Sequence, residues 1–290
     1  MENIQIPTSD GLKLFATLFH AEEGKGIVQV IHGAKEHRKR YYTFAKHLQE
    51  QGFHVILSDN RGHGESINDA YPLGFMNRVE EIIADQLLVT DYIKNLYPNL
   101  PFYLFGHSLG SVFARIYLQK QDENVDKVIL SGAVNYVPGV SFGIFLGKTI
   151  AKISGKHGYN RFLEKLSFKN QKNDLWISVS EENLKKYRND PLCQYKYQIQ
   201  AAITVFEGVR ELNRLAKYEC HNPNLPFLFI SGEGDPITGG EKGLKDSIKK
   251  LEKIGYHNIE NIIYPNMNHE VLNENNKEIV YDDIVQFLLQ

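Results

Sequence analysis

Little in this chain is present in excess, and what is scarce excludes several classes of function. Cysteine occurs only twice in 290 residues, at Cys193 and Cys220. Two thiols cannot build a disulfide framework, so both are expected to be reduced in a cytoplasmic protein, with a single structural pair as the lesser alternative. An excess of either charge is also missing: 33 Lys and Arg stand against 35 Asp and Glu, a formal net charge of −2. Binding nucleic acid takes a dense basic surface to neutralise phosphates, so no such partner is expected. No apolar run approaches the ~18 residues that span a bilayer. The opening MENIQIPTSDGLKL has neither the basic start nor the apolar stretch of a secretory signal, and no leader is expected.

What is present is alternation. The composition, 42% hydrophobic and 23% charged, suits a globular protein. IQIPTSDGLKLFATLF holds two apolar stretches around Asp10 and Gly11, a hairpin signal. GIVQVIHG, FHVILSDNRGHGES, PFYLFGHSLG, VDKVILSG and PFLFISGEGDP read as buried strands running into glycine. Helical spacings lie between them: YYTFAKHLQEQG, closed by Gly52, and a stripe of Val79, Ile82, Ile83, Leu87 and Ile93 ended by Pro98. NIIYP and NKEIVYDDIVQFLL supply a last strand and helix. This order predicts parallel βαβ units with helices on both faces, an α/β fold forming one domain over 1–290. Residues 136–210 break the alternation, being helical and aromatic without a convincing strand. They are expected to form a cap over the carboxyl ends of the strands, where such sheets bind ligands.

Within PFYLFGHSLG, Gly106-His107-Ser108-Leu109-Gly110 fits G-x-S-x-G, between a strand-like FYLF and a helix-like SVFARIYLQKQ. In that strand–turn–helix setting the serine projects at the strand tip as a nucleophile, whereas outside it the pentapeptide is only a tight corner. A serine hydroxyl needs a base, and the base needs a group to orient it. The expected chain order is serine, acid, histidine. His257 and His269 follow the last acid candidate, but His257 precedes the strand NIIYP, at the wrong end of the sheet. His269 follows that strand and is the expected base. Asp235, just past FLFISG and before Pro236, is the expected acid, with Glu233 as a weaker rival; SGAVNYVPG, the other loop that could supply one, has no carboxylate. HEVLN begins like a zinc-protease helix, yet Asn273 stands where the second ligand belongs, so neither metal nor cofactor is expected. The oxyanion of acyl transfer needs aimed donors. These are expected to be the backbone N–H groups of Leu109 and of Ala34, in the loop shaped by His32 and Gly33.

Taken together, HGAKEHRKRYYTFAKHLQEQGFHVILSDNRGHGES, GHSLGS, DPITGG and NHEVLNE resemble the monoacylglycerol lipase and lysophospholipase branch of the α/β-hydrolases. The resemblance covers nearly the whole chain, with NDPLCQY similar to a stretch at the end of the cap. It implies a mostly parallel eight-stranded sheet with a helical cap inserted after the sixth strand. It also implies a serine esterase with Ser108, Asp235 and His269 as triad and Ala34 and Leu109 as oxyanion donors. Two departures stand out: Lys35, where the family usually has glycine, and DPITGG in place of an apolar-proline ending.

Substrate choice should lie in the cap. There Phe142, Phe145, Leu146 and Ile150 are expected to line an acyl tunnel, and Lys148, Lys152 and Lys156 to touch anionic lipid surfaces transiently. The same residues also fit a helix packed on the core with its lysines in solvent. Tyr187, Tyr195 and Tyr197 are further lining candidates. The expected partner is a small lipid-like ester. Two rivals stand beside this reading: a proline-iminopeptidase-like aminopeptidase, and a non-catalytic ligand-binding relative.

Overall fold

The computed structural model describes residues 1–167 and 173–290. Eight strands form one sheet: β1 (Glu2–Pro7), β2 (Lys13–Phe19), β3 (Gly26–Ile31), β4 (Phe53–Ser58), β5 (Phe102–His107), β6 (Lys127–Ser131), β7 (Phe227–Gly232) and β8 (Ile259–Tyr264). Their order is β1-β2-β4-β3-β5-β6-β7-β8. β2 runs antiparallel to β1 and β4, and every other neighbouring pair is parallel. The hairpin turns where Asp10-Gly11 predicts it, with Pro7 opposite Lys13 and Gly11 at φ +85°.

Every residue of β3, β4, β5 and β7 is buried, as a sheet covered on both faces requires. Their side chains alternate between two cores. Ile27, Phe102 and Leu104 face one, while Val28, Tyr103 and Phe105 face the other. Helix α1 (Tyr42–Glu50) covers the second face; α2 (Val79–Leu96) and α3 (Leu109–Gln121) cover the first. The buried side of α2 is more polar than its apolar stripe suggests. Ile83 and Leu87 are only half-buried, whereas Asp85 and Gln86 are buried. The reason is pairing: Asp85 accepts from Nε and Nη2 of Arg61, each at 2.6 Å, and Gln86 bonds Gln29 of β3.

Between β6 and β7 come α4 (Val140–Ser154), α5 (Arg161–Ser167), α6 (Glu181–Asn189) and α7 (Ile199–Glu211), with no strand among the described residues. This is the cap after the sixth strand. Its α4 and α7 share a small core of their own around Val140, Ile144, Ile203 and Phe206. Helix α8 (Gly240–Ile254) then joins β7 to β8, and α9 (Lys277–Leu289) ends the chain against α1. No helix among the described residues is long and apolar enough to cross a membrane. The loops following β3, β5, β7 and β8 emerge at one edge of the sheet, beneath the cap.

Candidate active site

Ser108 sits between β5 and α3 at φ +50°, ψ −119°, a left-handed setting that costs a non-glycine residue about 1–3 kcal/mol. The surroundings hold it there. Ser108 N–H donates to Ser131 O at 2.9 Å, and its carbonyl accepts from the Ser111 amide at 2.9 Å and hydroxyl at 2.6 Å. The flanking glycines are required by close approach, since neither has positive φ. A Cβ on Gly106 would lie 2.5 Å from Gly110 O, and one on Gly110 would lie 2.0 Å from Ile31 O. The motif therefore packs β5, α3 and β3 too tightly for side chains, and the strain falls on the serine alone.

Asp235 and His269 meet at the ends of β7 and β8. His269 Nδ1 lies 2.8 Å from Asp235 Oδ2, with both side chains almost fully buried. The Ile237 amide fixes the other carboxylate oxygen at 2.7 Å. Burial alone lowers an imidazole pKa, but the charge of Asp235 and its hydrogen bond outweigh it and hold His269 above the usual 6.5. His269 Nε2 is buried without a hydrogen-bond partner among the described residues. Glu233 is exposed and does not meet the histidine, and His257 lies before β8, exposed. His32 is structural: its Nδ1 bonds Gly33 O, its Nε2 accepts from the Asn60 amide, and burial lowers it to about 3.

A cavity of about 950 Å³ is lined by Ser108, His269, Ala34 and Leu109 together. The amides of Ala34 and Leu109 are not taken by any acceptor among the described residues. Apolar walls come from Val134, Val140, Phe142, Trp176, Phe206 and Val209. Of the four cap residues expected there, Phe142 alone lines the cavity. Phe145 points to solvent at 68% exposure, and Leu146 and Ile150 also fall outside the lining. The reason is rotation: α4 turns Val140, Gly143, Ile144 and Gly147 inward, which leaves Phe145 facing out and packs half-buried Ile150 against the core shared with α7 and not against the cavity. Of the tyrosines, Tyr187 lines the cavity, whereas the Tyr197 hydroxyl bonds His63 Nε2 and the Lys35 amide.

Three features escaped the sequence reading. Trp176 and His107 both contact the His269 ring, at 5.1 and 4.7 Å between centroids. Burial pushes His107 well below its usual value, so it stays neutral beside His269. The third is a buried ionic network. Glu36 accepts from the Gly33 amide and from the Tyr41 hydroxyl at 2.6 Å, and Arg40 bridges Glu36 Oε2 at 3.3 Å to Glu270 Oε2 at 2.5 Å. Burial, then the neighbouring Glu270, raises Glu36. HGAKEH and HEVLNE each place a carboxylate beside one of these loops, but neither motif tells that it is buried. Lys35 in the first motif adopts φ +55°, the conformation a glycine there would favour, and its amine pairs with Glu164 at 2.9 Å.

Comparisons with known proteins agree with this architecture. A family profile described as serine aminopeptidase, S33, matches residues 22–276. A monoacylglycerol lipase of Mycolicibacterium smegmatis is 26% identical, over 91% of this chain and 88% of its own. A monoglyceride lipase of Mus musculus is 25% identical, over 92% and 87%. In fold, the chain superposes on a thermostable carboxyl esterase of Bacillus coagulans with a TM-score of 0.88 at 24% identity, covering 99% and 97%. A soluble variant of the Saccharomyces cerevisiae monoglyceride lipase, solved with a substrate analogue, gives 0.77 at 18% identity, covering 99% and 94%. With the profile spanning most of a chain built in this way, the protein belongs to the serine aminopeptidase, S33, family of α/β-hydrolases, in the branch that resembles monoacylglycerol lipases.

Proposed function

We propose that this hydrolase cleaves carboxylic esters of single-chain lipids through a Ser108 acyl-enzyme. The observation that carries the reading is the Asp235–His269 pair, at 2.8 Å, in the cavity that Ser108 also lines. Ser108 Oγ attacks the ester carbonyl while His269 Nε2 accepts its proton. Asp235 orients the imidazole and stabilises its cation. The Ala34 and Leu109 amides hold the oxyanion, contributing about 3–4 kcal/mol each by the usual measure. The C–O bond then breaks, and His269 returns the proton to the departing alcohol. Water enters, loses a proton to His269 and releases the acid. No metal or cofactor takes part in these steps.

The apolar walls support an acyl chain as the group that is bound. The charged groups argue against a peptide N-terminus, which would need a carboxylate free of other cations. Glu36 and Glu270 share Arg40, Glu164 pairs with Lys35, and Asp174 pairs with Arg188. Relatives named as monoacylglycerol and monoglyceride lipases support the same choice of substrate. On α4, exposed Phe145 and Ile153 share the stretch that carries Lys148, Lys152 and Lys156, of which Lys148 pairs with Glu207 at 2.8 Å, and we assign this stretch transient contact with an anionic lipid surface.

A fluorophosphonate should label the wild type and not Ser108→Ala. A series of p-nitrophenyl esters should be hydrolysed faster than aminoacyl arylamides, with all turnover lost in Ser108→Ala. Faster turnover of the arylamides would move the assignment to a peptidase, and undiminished ester turnover by Ser108→Ala would remove Ser108 from the reaction.

A further inference from the structure

Beside the catalytic cavity, a cluster of ligand-type side chains has no part in the reaction. His37 follows the oxyanion loop; Asp190 and Cys193 lie between α6 and α7 in the cap. One ligating atom from each lies within 4.8 Å of the other two. His37 and Cys193 are 4% and 1% exposed. His37 Nε2 bonds Asp190 Oδ2 at 2.7 Å, and His37 Nδ1 is a buried nitrogen with no partner among the described residues. A hydrogen bond between loop and cap accounts for His37 Nε2 and Asp190, the ring nitrogen and carboxylate that face one another, but leaves the Cys193 thiol beside them unused.

We propose that His37, Asp190 and Cys193 bind one divalent transition-metal ion of the zinc type, clamping the loop after β3 to the cap. The donor set is the first argument. Thiolate, imidazole and carboxylate are the three zinc ligands, and zinc takes three protein ligands plus water where a position stays open. Bond lengths of about 2.0–2.3 Å place tetrahedral ligand atoms roughly 3–4 Å apart, so the side chains close on an ion with adjustments of about an ångström. Charge is the second. The carboxylates acting on Cys193 are those of Asp190, Glu36 and Glu270, against the single guanidinium of Arg40. That guanidinium is already committed to Glu36 and Glu270. A divalent cation offsets the remaining negative charge. Access is the third: the Asp190 side chain is 27% exposed and gives the ion a way in. On binding, the Cys193 thiol releases its proton to solvent and the sulfur lone pair forms the metal bond, with no change of oxidation state. None of the three residues is a member of the Ser108–Asp235–His269 set, so the site stands whether or not the esterase reading holds.

The test uses the full chain, stripped with a chelator, and Co2+ as a spectroscopic substitute for Zn2+. The wild type should develop a thiolate-to-cobalt charge-transfer band that saturates at one ion per chain. Zn2+ should displace that band, and the melting temperature should rise with either metal. Cys220→Ser should keep the band, since Cys220 is the other thiol of the chain. Cys193→Ser should lose the band, and Asp190→Asn should bind Co2+ at least tenfold more weakly. Melting curves without metal check that each variant is folded, and Cys193→Ser, which replaces sulfur by oxygen, is the mildest of them. Absence of the band in the wild type, or its survival in Cys193→Ser, overturns the proposal.

Discussion

Arg40 Nη2 donates to Glu270 Oε2 at 2.5 Å, tying the loop that carries Ala34 to the residue that follows His269. Through Arg40 and Glu36, the Gly33 amide and the His269 loop belong to one buried network. The loop after β3 and the His269 loop are thus set relative to one another by charge as well as by the sheet.

Removing the cation leaves two buried carboxylates facing each other. Losing one partner of a buried pair typically costs about 3–5 kcal/mol. Arg40→Met is expected to lose about 3 kcal/mol or more in urea unfolding and to lower kcat, because Gly33 and Glu270 both shift. A loss below about 1 kcal/mol would show that the network contributes little.

The raised pKa of His269 fixes the direction of two pH effects. A histidine base works unprotonated, so kcat/KM should rise with pH through a value above 6.5. For stability, a folded-state pKa above the unfolded one favours folding fully at pH values below about 6.5. That contribution is lost as pH rises through the folded value. Asp235→Asn removes the main raising cause. It is expected to move the kinetic pKa down and to cut kcat by about 10³–10⁴-fold, through loss of the oriented tautomer. An unchanged pH profile in Asp235→Asn would mean that another group sets the protonation of His269.

Gly132, at φ +54°, lets the backbone after β6 approach the Asp235–His269 pair closely. A Cβ there would lie 2.7 Å from His269 Cε1, 2.8 Å from its Nδ1 and 3.2 Å from Asp235 Oδ2. Gly132→Ala should therefore push the histidine away from the serine. A displacement near an ångström can cost about 100-fold in rate, against about 1–3 kcal/mol of backbone strain. The expected signature is a fall in kcat much larger than the fall in stability implies. A kcat within threefold of wild type, from a folded variant, would show that the pair has room to move.

The inner strands β3, β4, β5 and β7 were legible because both of their faces are covered, so apolar runs leading into glycine mark them directly. Ser108, Asp235 and His269 could be proposed from the sequence because such chemistry fixes the order of serine, acid and histidine and each of the three follows a strand; the structure pairs Asp235 with His269 and lines one cavity with Ser108 and His269. The Glu36–Arg40–Glu270 network was not legible, since nothing local tells a buried charge from a solvated one. Asp85 and Gln86 failed for the same reason: the partners that bury them are 24 and 57 residues away in sequence. The facing of α4 was hidden too. Its sequence is apolar nearly all round, so the core contributed by α7 decided which residues turn inward.

That outward side of α4 yields a prediction that separates chemistry from delivery. Phe145 and Ile153 are 68% and 83% exposed, on the helix that also carries Lys148 and Lys152, and neither lines the cavity. An apolar strip flanked by cations inserts shallowly at an anionic interface. Phe145→Ser with Ile153→Ser should therefore slow hydrolysis of a monoacylglycerol presented in anionic vesicles. Turnover of a short soluble p-nitrophenyl ester should stay unchanged. Raising salt should weaken the wild type on vesicles, because lysine attraction is screened over roughly 8–10 Å at physiological ionic strength. Equal losses on both substrates would instead assign the strip to the shape of the cavity. No loss on either would leave the cap's outer face without a role in meeting lipid.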